Sequence, residues 1–553
     1  MSWMFIKYNL HSQIEPAVKP IHRISGKNFD IFLGGNRRTC VSVGNEQNGF
    51  AVCGLGIDDW HIWNENDWQK AIEKNETPSD GHFIIVQWGN DEIKFQNDVL
   101  GLRDLFWAKY GDGFIISTRM DWVMDFARKN EIDFTKLGSL WLGPSILHWD
   151  SFIKDIYRLG PGGTVKFTNS NFAHLGNKYF SRPHSQESSL DDVIDILLSA
   201  VSTEPEIPKY LSLSGGLDSR ALLAFLYGTS IRWRTFSFGI GDEPDIQIVE
   251  KMSDELGFSF EFHRVEIPRE DELWDILLDH SRRKMITIPI STALFLHSLN
   301  FLENLNVITI DGGLGEILRQ RVLRRLAPVP NMKLTPKLVR KLIGSELPPI
   351  FNEDVRRLLE RGFIADIENA LERCSGMRAD EIAEMWAIWF RLPNYSGFEQ
   401  ARLDEFTQNF MPFVQPTVMN AALRLSNKQR RKSAVHLRAI ERFAPKLAKY
   451  KLSRFGRKLP FKIGVNPYLM RMYLPFSRDM QTPIMNTFFR KMMNKLQERI
   501  LDILASQSFN SAGFYDHKFV KDSVDKYFAG DDSKKSTLDW WLTTALFLAG
   551  QQK

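Results

Sequence analysis

The ten residues LSLSGGLDSR at positions 211–220 constrain this chain more than any other stretch. Apolar Tyr210, Leu211 and Leu213 lead in, and the helical pattern of Ala221, Leu222, Leu223, Ala224, Phe225 and Leu226 leads out. Strand, glycine turn and helix in that order put backbone N–H groups and a helix N-terminus around one anion. Gly215 and Gly216 let the main chain approach phosphate oxygens without a Cβ in the way. Leu213, Ser214, Gly215, Gly216, Leu217, Asp218 and Ser219 are therefore the candidate phosphate-binding set. The Ser214 and Ser219 hydroxyls add donors, and Asp218 offers a hard oxygen to the magnesium that travels with ATP. No Gly-Lys-Ser/Thr follows, which excludes a Walker loop. The bland alternative is a polar turn in which Ser and Asp only form the turn. Two serines, two glycines and an aspartate in this order after a strand weigh against it.

Such a unit belongs in a parallel sheet, whose ligands lie at the carboxyl ends of the strands. Strands are expected at 209–213, 233–238, 259–265 and 306–310, with helices between them, one near 245–256. Two of these strand ends carry suitable residues. Phe238 and Gly239, ahead of Asp242, Glu243 and Asp245, suit an adenine or ribose contact; a buried strand with an acidic surface loop is the other reading. The second end is Asp311-Gly312-Gly313-Leu314-Gly315-Glu316. There Gly312 and Gly313 are candidate nucleotide contacts, and Glu316 would share magnesium with Asp218.

Ahead of position 181 the pattern changes to short β-rich runs at 49–57, 82–88, 92–97, 105–109, 113–117 and 164–167, with a helix at 120–127. The stretch SRPHSQESS, 181–189, reads as a linker, and Ser189 with Asp192 forms a capping box opening a helix at 190–201. Beyond Gly315 the pattern is mainly helical. The fold expected is α/β: an α+β, β-sandwich domain at 1–180, a linker at 181–189, and a parallel-sheet domain with a helical C-terminal part at 190–553.

A length of 553 residues calls for more than one core. The net charge of +4 gives no reason to expect nucleic acid as a partner. Cys40, Cys53 and Cys374 are too few and scattered for a disulfide framework or zinc site, and Cys53, in an apolar run, reads as a core thiol. The start MSWMFIKYNL lacks the pattern of a signal peptide. No run reaches the ~18–20 apolar residues of a membrane span. A cytoplasmic protein, able to form homo-oligomers, is expected.

The SGGLDS segment resembles the SGGxDS signature of PP-loop ATP pyrophosphatases, which split ATP into AMP and pyrophosphate while adenylating a substrate. Over most of its length the chain further resembles the asparagine synthetase family. The similar stretches are NDVLGLRDLFWAKYGDGFIISTRMDWV (97–123), SFIKDIYRLGPGGTVKF (151–167), FSFGIGDEPDIQIVEKMSDELGFSFEFHRVEI (236–267) and MPFVQPTVMNAALRLSNKQRRK (411–432). The resemblance implies a glutaminase-like N-terminal domain and a synthetase domain of the adenine nucleotide α-hydrolase-like type, using ATP and magnesium. It also implies a lysine over the pyrophosphate within FAPKLAKYKLSRFGRK (443–458), with Lys451 the first candidate and Lys458 the second.

Departures from the family pattern shape the rest. Ser2 stands where family glutaminases carry cysteine, and Asp80 matches a glutamine-binding aspartate without its partners. The first domain is thus expected to be a glutaminase relic with a structural or substrate-binding role. Glu316 and Ile317 replace two family acids, and Gly313 replaces a substrate-handling glutamate or tyrosine, which argues against aspartate amidation and β-lactam closure. The expected activity is an AMP-forming amide ligase acting on a carboxylate-bearing acceptor, the amine being free ammonia or, in the favoured reading, one carried by the substrate itself. Lasso-peptide macrolactam synthetases have this character, which implies a precursor peptide and its processing protease as partners. One alternative is amidation of a sugar acid or surface glycan, with the basic segments 319–325 and 428–432 facing an acidic acceptor. Another is an inactive nucleotide-binding scaffold.

Overall fold

A computed structural model describes residues 2–10, 14–89, 92–168, 171–183, 188–283, 285–326, 332–454, 457–459 and 483–549. Part of the expected linker, residues 184–187, and the Lys458 side chain lie outside the described residues.

The strand Trp3–Tyr8 is buried along its whole length because both of its faces are covered. Met4, Ile6 and Tyr8 point into the space between two antiparallel sheets. On the other face, Trp3 sets its ring edge-on to Trp122 of the helix Met120–Ala127, 4.9 Å between centroids. The first sheet runs Tyr157–Arg158, Phe106–Tyr110, Gly113–Ser117, Trp3–Tyr8, Phe29–Gly34, His22–Ser25. The second runs Asn171–Asn177, Gly163–Thr168, Glu92–Asn97, Asp80–Gly89, Gly49–Asp58, Cys40–Gly44, with His61–Ile62 beside Gly49–Asp58. Side chains of alternating residues fill the layer between them, among them Leu33, Cys53, Val86, Phe95, Ile116 and Phe167. Cys53 is the buried core thiol expected, 3.9 Å from the Cys40 sulfur.

The helix Leu190–Val201 opens with the expected capping box of Ser189 and Asp192. A five-stranded sheet follows in the order Phe260–Arg264, Trp233–Gly239, Lys209–Ser212, Ile308–Ile310, Gln408–Phe410, every neighbour parallel. The chain lays its first strand at the centre, builds outward on one side, then returns to the other. The reversal opens a crevice at the carboxyl ends of Lys209–Ser212 and Ile308–Ile310, where ligands of open α/β sheets bind. The helix Leu217–Tyr227 is buried almost throughout, from Ser219 to Leu226, between this sheet and the helices Leu190–Val201 and Ala434–Phe443. Most of the remaining described chain is helical, including Glu353–Glu372, His517–Phe528 and Lys535–Ala549. Among the described residues no helix is long and apolar enough to cross a membrane.

Candidate functional site

Both glycine turns lie at that crevice and touch. A Cβ on Gly312 would stand 2.8 Å from the Ser219 nitrogen, and one on Gly315 would stand 2.6 Å from Asp218 Oδ1. Only hydrogen at these positions lets the turn after Ile308–Ile310 rest on the loop after Lys209–Ser212. Inside the loop, Ser219 Oγ accepts from Ser214 N at 3.1 Å and lies 2.9 Å from Ser214 Oγ. Gly216 is the helix N-cap and supplies no side-chain cap, so first-turn N–H groups are left for a ligand or water. The three loop donors before the helix are already used: besides Ser214 N, Gly215 N donates to Asp245 Oδ1 at 2.9 Å and Gly216 N to Ser214 Oγ at 3.2 Å. Phe238 and Gly239 end the adjacent strand, and Ser237 Oγ ties that strand to the Leu213 carbonyl at 2.5 Å. Gly313 N donates to Asp311 Oδ1 at 2.5 Å, and burial pushes the Asp311 carboxyl up to about 6.

Asp218 is where the geometry departs from expectation. Its Oδ2 takes a short ion pair from Arg319 Nη2, and its Oδ1 lies 2.8 Å from His436 Nε2. Phe413 stacks on His436 with ring centroids 4.9 Å apart, fixing the imidazole. Burial would raise the Asp218 pKa, but the Arg319 guanidinium and His436 outweigh it and hold the carboxyl below its ordinary range. Burial pulls the His436 imidazole below its usual value despite that carboxylate. Glu316 is 52% exposed and 3.9 Å from the same Arg319 nitrogen. The expected magnesium pair, Asp218 and Glu316, therefore has a guanidinium against both members. A divalent ion at Asp218 would stand within about 4 Å of that cation, a repulsion of several kcal/mol even at an effective dielectric of about 20. The donor set does not fit a divalent ion, and among the described residues no group of three or more His, Cys, Asp or Glu could hold one.

Within the basic segments 319–325 and 428–432, Arg319 and Arg430 are buried, while Arg324, Arg325, Lys428, Arg431 and Lys432 are exposed. The two buried arginines turn inward onto buried or half-buried carboxylates, Arg319 onto Asp218 beside His436 and Arg430 onto Glu384 beside Gln320. Arg430 pairs with Glu384 at 2.7 Å and donates to the Ile317 carbonyl at 3.1 Å, bracing the Asp311–Glu316 turn from below.

Arg220, which the sequence did not single out, carries the C-terminal segment to the loop. Its guanidinium donates to the carbonyls of Leu447 at 3.3 Å, Tyr450 at 2.9 Å, Lys451 at 2.7 Å and Gly215 at 3.2 Å. Ser453 N donates to the Gly215 carbonyl at 2.8 Å, and Ser453 Oγ to Asp245 Oδ2 at 2.7 Å. The backbone of Lys451 is thus fixed beside the phosphate loop with its side chain exposed. Lys458 pairs with Ser453 across the short ribbon formed by Leu452–Arg454 and Arg457–Leu459.

Ser2 lies elsewhere, fully buried where the two halves of the chain meet. Its hydroxyl donates to the Asp404 carbonyl at 2.8 Å, as does that of Thr39. The Asp404 carboxylate has no exposure; it pairs with Arg103, lies 2.9 Å from His82 Nε2 and accepts from Asn409 Nδ2 at 2.7 Å. Asp80 caps a helix in the other half: Thr417 N donates to its Oδ1 at 2.8 Å and Thr417 Oγ1 to its Oδ2 at 2.6 Å, at the start of Pro416–Leu423. Gly81 N donates to Gln415 Oε1 at 2.8 Å.

Residues 199–308 match the model of the asparagine synthase family. The span contains the loop 213–219 and the Phe238–Gly239 strand end, and stops short of Gly312, Arg319, His436 and Lys451. The chain thus carries an asparagine-synthase-type segment. No curated protein matches it. Among solved structures it is similar to a glutamine phosphoribosylpyrophosphate amidotransferase from B. subtilis complexed with ADP and GMP, at 10% identity and TM-score 0.19, over 66% of this chain and 86% of that one. A structure of the allosteric regulatory enzyme of purine biosynthesis is similar at 10% identity and TM-score 0.19, over 66% and 85%. TM-scores of that size carry no argument about fold or function.

Proposed function

We propose that this chain is an ATP-dependent, AMP-forming amide ligase that activates a carboxylate for attack by an amine belonging to the same substrate. The observation that carries this reading is the contact of two glycine turns at the crevice of the parallel sheet, inside and just beyond the asparagine-synthase-type segment. In the proposed reaction an acceptor carboxylate oxygen attacks the α-phosphorus, and the bond to the bridging oxygen of the β-phosphate breaks. Pyrophosphate leaves and an acyl-adenylate remains. The amine nitrogen then attacks the acyl carbon and loses a proton, and AMP leaves with one oxygen of the original carboxylate. The chain's contribution is positioning and charge stabilisation: uncapped first-turn N–H groups of the helix Leu217–Tyr227 on the phosphates, and Lys451 opposite the charge growing on pyrophosphate.

The burial of Ser2 beneath Asp404 supports an amine that does not come from glutamine, since no nucleophile is presented there. That favours ring closure within a peptide, as in a lasso-type macrolactam, over amidation by released ammonia. The test is ATP–pyrophosphate exchange by the full chain with three acceptors: a leader-free peptide bearing Asp or Glu a few residues from its free amine, an acidic glycan, and aspartate. Exchange is expected with the peptide, and Lys451→Ala is expected to lose at least about tenfold with unchanged melting, because the side chain is exposed. Exchange with the glycan or aspartate alone would overturn the peptide acceptor. No exchange with any, despite nucleotide binding, would favour an inactive scaffold.

A further inference from the structure

We propose that Arg319 takes the place of a divalent metal in this site, so that the loop 213–219 binds a nucleoside triphosphate as the free polyanion, its charge met by a guanidinium. The inference rests on the reading of the loop as an ATP site. Three observations carry it. Arg319 is 8% exposed and reaches Asp218, the one carboxylate within the loop set, from the turn that packs on the loop. Its Nε is buried without a hydrogen-bond partner, so the fork is not exhausted by the protein. Glu316, the other expected metal ligand, lies beside the same guanidinium and is half exposed.

A buried guanidinium with unused donors is a poor neighbour for a dication and a good one for phosphate oxygens, which it can grip through two parallel N–H bonds. Asp218 then acts as a positioning residue: it anchors one arm of the fork while His436, held on Phe413, closes its other side. A metal in this position would have to displace Arg319 from Asp218 first. The arrangement also explains why an exposed glutamate suffices at position 316, where no ligand is required.

The experiment is calorimetric titration of full-length protein with α,β-methylene ATP, in excess magnesium and again in EDTA. Wild type, Arg319→Lys and Arg319→Gln are compared. Wild type is expected to bind within about threefold under the two conditions, because the guanidinium bond does not depend on metal. Arg319→Gln is expected to lose about ten- to a hundredfold in EDTA and to recover in magnesium, since Asp218 is then free to take an ion. Arg319→Lys, which keeps the charge without the fork, is expected to fall between them in EDTA. Loss of wild-type binding in EDTA overturns the proposal while leaving the ATP site intact, and this measurement needs no variant to fold. Equal binding of Arg319→Gln and wild type in EDTA overturns it too, assigning Arg319 a structural role. No binding by wild type under either condition overturns the ATP site itself and this inference with it.

Discussion

Replacing Asp404 with leucine tests whether the two halves of the chain are locked together through the Ser2 pocket. Leucine keeps the same branching and number of heavy atoms, so the change removes the charge and hydrogen bonds while keeping the outline of the side chain, with methyl groups larger than the oxygens they replace. In the wild type, Asp404 and His82 have no exposure and Arg103 has 1%. The substitution leaves the Arg103 guanidinium and His82 Nε2 buried without their carboxylate, and Asn409 Nδ2 without its 2.7 Å acceptor. Breaking a buried pair from one side costs about 3–5 kcal/mol, mostly from the charge left behind. At about 2–4 °C per kcal/mol for a folding unit of 150–250 residues, melting should fall by roughly 6–20 °C. The assay is thermal unfolding of the full chain followed by near-ultraviolet circular dichroism, with Asp404→Leu compared with Asp404→Leu/Arg103→Met. The double variant removes the orphaned charge and should recover at least a third of the loss. A single variant melting within about 2 °C of wild type would refute the reasoning. So would a double variant no better than the single.

Other consequences are as direct. Gly312→Ala puts a methyl group 2.8 Å from the Ser219 nitrogen, so the turn must lift off the loop; pyrophosphate exchange should be lost at a stability cost of about 1–3 kcal/mol, read by urea titration. Arg220→Met strips the donor from the carbonyls of Leu447, Tyr450, Lys451 and Gly215, and limited trypsin digestion should then cut after Lys449 or Lys451 much faster than in wild type. Asp311, pushed up to about 6 by burial, binds more protons folded than unfolded above its ordinary value of 3.8. Its contribution to stability is therefore full below about pH 4, is lost as pH rises through about 6, and stays lost above that. Urea unfolding of wild type minus Asp311→Asn across this window should show that slope; a flat difference would contradict it.

The loop 213–219 and the strands around it were legible because their chemistry is local: glycines, hydroxyls and an acid follow a strand within ten residues. Strand ends agreed to within a residue or two wherever β-branched or aromatic residues ran into a turn, as at Trp233–Gly239 and Glu92–Asn97. Trp3–Tyr8 was not legible as a strand because covering both faces erases the alternation that marks one. Gln408–Phe410 escaped notice as three residues with a polar pair, buried by neighbours far away in sequence. Arg319 stood in a basic segment, 319–325, read as facing an acidic acceptor, and His436 in a helix without any motif. Their meeting with Asp218 depends on how a turn and a helix from distant stretches pack on one loop. The same distance hid Asp404, whose contact with Ser2 spans 402 positions.

Which phosphoanhydride bond of ATP the full chain cuts tests the proposed activity most directly. Phosphorus NMR of ATP incubated with the protein and a leader-free peptide bearing an acidic side chain should show AMP and pyrophosphate accumulating in equal amounts as the peptide loses one water. ADP and inorganic phosphate, or ATP consumption that does not depend on the acceptor, would contradict it.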